Sequence, residues 1–87
     1  MLVTRKILMN KIMAYLNHRI ELPELIDWAE QAMMDADFEE QYFDDIRNIV
    51  AKIGLANIKA FGLTWQDCED FLQRLGYRAR VEVVELA

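Results

Sequence analysis

The stretch "TWQDCEDFLQRLGY", residues 64–77, spells out both ends of one helix. Thr64 suits the N-cap, because its side-chain oxygen can accept from a first-turn N–H that has no partner within the helix. Asp67, three residues on, can reach back to the Thr64 N–H and so stands in for the Glu of a capping box. Leu63 and Cys68 have the spacing of a hydrophobic staple, and Phe71, Leu72 and Leu75 continue one apolar face. Gly76 can take the left-handed conformation that stops a helix, and Tyr77 can close over the end. The rest of the chain must supply a surface for that apolar face.

It does so with the same period. Thr4 can cap a helix over 4–17, with Leu8, Met9, Ile12, Met13 and Leu16 inward and Arg5, Lys6, Asn10, Lys11 and Asn17 outward. Pro23 suits the first turn of a second helix over 23–36, whose stripe is Leu22, Leu25, Ile26, Ala29 and Met33, widened by Trp28 and Ala32. Asp35 or Asp37 can cap a third over 38–53, with Tyr42, Phe43, Ile46, Ile49, Val50 and Ile53 on its apolar face. Gly54 reads as its left-handed stop, with Leu55 packing back on the last turn. "ANIKAFG" is too short to assign. The spacing predicts an all-α fold, a small four-helix bundle in one domain spanning 1–87. Trp28, Phe43, Ile46, Ile49, Phe71 and Leu72 are expected in the common core.

The C-terminal segment 77–87 changes period. Tyr77, Ala79, Val81 and Val83 alternate with Arg78, Arg80 and Glu82, the pattern of an extended, half-buried strand. A lone strand leaves its backbone ladder unpaired. Three remedies are open: the same segment of another subunit, a short extended piece such as "ANIKAF" or "MLV", or a partner's sheet.

Hydrophobic residues make up 54% of the 87. A chain this short buries only roughly 60–65% of its unfolded surface, so part of that apolar content calls for a homo-oligomer or another partner. The single cysteine, Cys68, excludes an internal disulfide and fits a reducing compartment. No apolar run approaches the ~18–20 residues of a membrane span. The first residues also lack the apolar block and cleavage site of a signal peptide. A cytoplasmic protein away from the membrane is expected.

Charge is the most unusual feature. Residues 1–20 hold Arg5, Lys6, Lys11 and Arg19 and no acid. Residues 21–45 hold Glu21, Glu24, Asp27, Glu30, Asp35, Asp37, Glu39, Glu40, Asp44 and Asp45 and no lysine or arginine. Such a block repels phosphate backbones, which argues against nucleic acid as a partner. Glu39 and Glu40 near a helix start would complement the macrodipole, but that leaves the acids of the second helix unanswered. Two answers stand level: the basic first helix lies alongside, or a basic protein partner binds. On the second, the partner-binding residues are Glu24, Asp27, Glu30, Glu39, Glu40, Asp44 and Asp45. Met34, which cannot share a narrow apolar stripe with Met33, would give such a surface an adaptable apolar element.

Metal chemistry fits less well. In an EF-hand register starting at Asp35, the turn glycine falls on Glu40 and the closing glutamate on Ile46. Di-iron bundles need Glu-x-x-His pairs, and His18 is the one histidine. A Cys68 nucleophile would need His18 from a different helix as its base, whereas a core cysteine and a helix-end histidine need nothing further. There is no phosphate loop, serine elbow or paired-cysteine zinc motif. No enzyme, cofactor or dedicated metal site is expected.

Two stretches, "LNHRIELPELIDWAEQAM" and "FGLTWQDCEDFLQRLGY", resemble blocks of a small uncharacterised bacterial family of helical proteins. The first, a short helix, a turn and a helix opening "EL-x-x-WA", is also similar to the start of some bacteriocin-immunity-like proteins. The shared positions are capping and packing residues, so the resemblance implies a helical fold and carries over no catalytic residue. The expected function is a non-enzymatic protein-interaction module with an acidic helical surface, immunity-like or antitoxin-like. The alternatives are a homo-oligomeric structural protein, with the first helix and the C-terminal segment in the subunit contact, and a carboxylate-based metal-dependent protein.

Overall fold

The computed structural model describes residues 1–56 and 62–86. The elements run β1 (Leu2–Val3), α1 (Arg5–Leu16), α2 (Leu22–Asp35), β2 (Asp37–Phe38), α3 (Phe43–Gly54) and α4 (Trp65–Arg74). The helices form a small all-α bundle in which α2 and α3 make the most extensive contact and α1 touches each of the other three.

Local chemistry sets both ends of α1 and of α4. Thr4 Oγ1 accepts from the Ile7 N–H at 3.1 Å to start α1. At the other end His18 sits at φ +60. Its N–H donates to the Tyr15 carbonyl and that of Arg19 to the Ala14 carbonyl, a full Schellman closure with a histidine where glycine is usual. The α4 capping box is complete: Thr64 Oγ1 accepts from the Asp67 N–H and Asp67 Oδ2 from the Thr64 N–H, both at 3.0 Å. Gly76, at φ +90, ends α4 with a second Schellman pair, Tyr77 N–H to the Leu72 carbonyl and Gly76 N–H to the Gln73 carbonyl.

One core joins all four helices. Leu8 and Ile12, Leu25 and Ala29, Ile46, Ile49, Val50 and Ile53, and Cys68 and Leu75 are fully excluded from solvent, with Phe71 and Leu72 nearly so. Each large aliphatic side chain buried in this way contributes about 1.5–3 kcal/mol of transfer free energy. Two expected core members depart from this. Phe43 is 41% exposed, because it opens α3 and turns its ring edge-on to Phe38, 6.0 Å between centroids. Trp28 is half-buried, its ring covered by the Lys11 ammonium at 5.5 Å. Met33 is also exposed rather than on the buried stripe.

The third helix starts at Phe43 instead of 38, and neither Asp35 nor Asp37 caps it. Residues 37–38 are drawn into a parallel bridge with β1, Leu2 opposite Asp37 and Val3 opposite Phe38, which buries Val3 completely. The chain then turns through Tyr42, a left-handed N-cap at φ +69 without a side-chain capping bond. Gly54 is the last residue of α3 and not a left-handed stop; Leu55 follows at φ −98 and is exposed. Instead, Gly54 brings the end of α3 close to α2, where an added Cβ would lie 3.7 Å from Glu30 Cγ and 4.0 Å from Ala29 Cβ.

Residues 77–86 form neither helix nor strand. Tyr77 and Ala79 are half-buried against the core and Arg78 and Arg80 exposed, so the alternation survives over those four residues. Of the pairing segments open to it, "MLV" is taken by β2, and most of "ANIKAF" lies outside the described residues.

Candidate functional site

The expected carboxylates fall into two groups and one exception. Glu24, Asp27 and Glu30 recur every three residues along α2 and are exposed. Met34 lies four residues beyond Glu30 and seven beyond Asp27, hence on the same face, and is 77% exposed. Glu24 sits in the first turn of α2 and Asp44 and Asp45 in that of α3, where the helix dipoles favour negative charge. Glu40 is exposed in the turn before α3, and its carbonyl accepts from the Phe43 N–H.

Glu39 is the exception. Its Oε1 accepts from the Arg5 N–H at 3.1 Å, capping the start of α1 from a residue far along the chain. It belongs to the scaffold rather than to an open surface.

The basic residues of α1 are directed elsewhere. Arg5, expected to face outward, is half-buried with its guanidinium 5.0 Å from the ring centroids of both Tyr42 and Tyr77. Its Nη1 donates to the Leu75 carbonyl at 2.9 Å. Lys11 covers Trp28. Among the described residues no ion pair ties the α2 and α3 carboxylates to Lys6, Lys11 or Arg19. Two of the four bases thus answer aromatic rings, a role that charge counting along the sequence does not reveal.

Cys68 is a core thiol. It is fully buried, and burial first, then the neighbouring Asp67 carboxylate, pushes its pKa from 9.0 up to about 11. A nucleophilic or metal-bound thiolate is disfavoured in that position. Tyr15 donates its hydroxyl to the Leu63 carbonyl at 3.3 Å, and desolvation, followed by Cys68, raises its pKa as well. Among the described residues no three His, Cys, Asp or Glu side chains converge in a way that could hold a metal ion. None of the described helices is long and apolar enough to cross a membrane.

A feature that the sequence pattern did not bring out is a groove of about 680 Å³ between α1, α4 and the C-terminal segment. Met9, Met13 and Leu16 form one wall, Trp65 and Leu72 another, and residues 77–82 the third. The available signal was the pair of methionines on the α1 stripe together with the change to a strand period after Gly76.

Comparison with family models, with curated proteins and with solved structures finds no match to this chain. The functional reading rests on the geometry.

Proposed function

We propose that this chain is a non-enzymatic protein-interaction module that presents the carboxylate face of α2, with Glu40, Asp44 and Asp45 at the start of α3, to a basic protein partner. The observation that carries the reading is the α2 face itself. Glu24, Asp27 and Glu30 lie exposed around an exposed Met34, without ion pairs to α1 among the described residues. Unreturned like charge destabilises a helix by a few tenths of a kcal/mol per pair, and a cationic partner reverses that sign. Met34 adds a flexible apolar contact of the kind adaptable binding surfaces use. An immunity or antitoxin protein that neutralises a basic nuclease would be one instance of this arrangement.

The test pairs capture from the native cell with charge reversal. Asp27→Lys with Glu30→Lys, and Glu40→Lys with Asp44→Lys, are expected to lose the captured partner while keeping the helical signal. The wild-type association rate should fall steeply with salt, because screening sets in over ~10 Å at 0.1 M. A partner whose binding ignores both salt and reversal overturns the reading.

A further inference from the structure

The C-terminal segment has an unused edge, and its own residues indicate what completes it. Val81 is 70% exposed, Val83 91% and Val84 70%, a run of β-branched side chains left in solvent. No strand pairs with this run among the described residues. Residues 77–80 are already half anchored, with Tyr77 and Ala79 half-buried against the core and Arg78 and Arg80 exposed.

We propose that residues 78–84 pair antiparallel with the same residues of a second copy, about a two-fold axis at Val81. The charges select this register. Centred on Val81, each Arg80 stands opposite Glu82 of the other copy, and this happens twice by symmetry. Centring one residue earlier keeps two Arg78–Glu82 pairs but sets Arg80 against Arg80. Centring one residue later sets Glu82 against Glu82 with no opposite-charge pair, so only the Val81 register has attraction without repulsion. The apolar side chains agree, since Val81 then meets Val81 and Ala79 meets Val83 on the inward face.

The groove supplies what a bare ribbon lacks. Two strands alone are at best marginally stable in water and need an apolar layer beneath them. Residues 77–82, with Ala79 and Val81 as the apolar members nearest the axis, line the groove together with Met9 and Met13. The inward Val83 of the second copy, lying across from Ala79, is carried over that same opening. Each copy thereby covers part of the other's groove. This interface is separate from the carboxylate face of α2, so either can fail without the other.

Sedimentation of the full chain over a range of concentrations tests the pairing. A reversible dimer is expected. Arg80→Glu should weaken it about ten-fold or more, as two cross-strand attractions become repulsions. Adding Glu82→Arg to Arg80→Glu should restore it. Both sites are exposed, so circular dichroism should be unchanged in all three proteins.

Cysteine pairing fixes the axis. Residues facing across an antiparallel pair have Cα atoms ~4.5–5.5 Å apart, within disulfide reach. Val81→Cys should therefore form a covalent dimer on oxidation. Val84→Cys, opposite Arg78 and about six residues of strand from its own copy, should not. Buried Cys68 does not compete. A monomer at all concentrations overturns the proposal and leaves the edge for a different protein's sheet. Equal crosslinking at 81 and 84, or a dimer indifferent to the charge swap, overturns it too.

Discussion

Replacing Arg5 by alanine is expected to cost far more than a surface arginine should. The guanidinium lies 5.0 Å from each of two tyrosine rings, and such contacts are worth about 0.5–1 kcal/mol apiece when partly exposed. Its bond to the Leu75 carbonyl, at 2.9 Å, adds about 1.5–3 kcal/mol as a hydrogen bond from a charged donor. Because Arg5 is only half-buried, the lower part of that range applies, giving about 2.5–4 kcal/mol in all. For a domain of this size that corresponds to a fall in Tm on the order of 10–20 °C. Arg5→Lys should lose roughly half as much, since an ammonium keeps the charge but neither the flat stacking nor the forked donor. Urea denaturation followed by tryptophan fluorescence at fixed protein concentration measures both. A double-mutant cycle with Tyr77→Leu should show coupling of about 0.5 kcal/mol or more. A loss below about 1 kcal/mol for Arg5→Ala, or additive effects in the cycle, would refute the reasoning and make Arg5 an ordinary solvated side chain.

Three further outcomes are expected. His18→Gly should stabilise the protein by about 0.5–1 kcal/mol in the same assay, because glycine holds the left-handed position that ends α1 without the Cβ penalty. Phe71→Ala, which empties a nearly sealed site in the core, should cost about 3–5 kcal/mol. Cys68 should make stability fall at alkaline pH. Its folded pKa of about 11 lies above the ordinary 9.0, so its contribution is intact below pH 9 and is lost as pH rises from 9 towards 11. Cys68→Ala should flatten that part of the profile, measured as the difference in Tm between the two proteins.

The parts of this fold legible in the sequence are those whose chemistry is local. The cap and stop of α4 lie within thirteen residues, and both appear where their letters put them. The start of α3 was not legible, because the residues that decide it lie far apart. Val3 pulls Asp37 and Phe38 into a bridge, and the Arg5 backbone N–H takes the Glu39 carboxylate. Once those residues are committed, a helix cannot begin before Tyr42, which bears no capping signature. The carboxylates of the candidate surface were visible as a run of charge, but whether α1 answers them depends on where Arg5 and Lys11 point. Both turn to aromatic rings from distant segments, Tyr42, Tyr77 and Trp28. The period of residues 77–83 was legible, and its pairing was not, because no segment among the described residues completes it.

The unequal packing of the helices has a consequence for how the molecule breathes. The contact of α2 with α3 is the largest in the bundle, whereas α4 rests on α1 through a smaller one. Opening free energies in a native protein follow such differences, from frayed units at the low end up to the global value. The amides of α4 should therefore exchange with solvent hydrogen through a partial opening that leaves α2 and α3 closed. Such an opening must also release the Arg5 bond to Leu75 and expose Cys68. Pairing of residues 78–84 between copies would hold α4 down from outside, so exchange in α4 would slow with protein concentration while that of α3 would not.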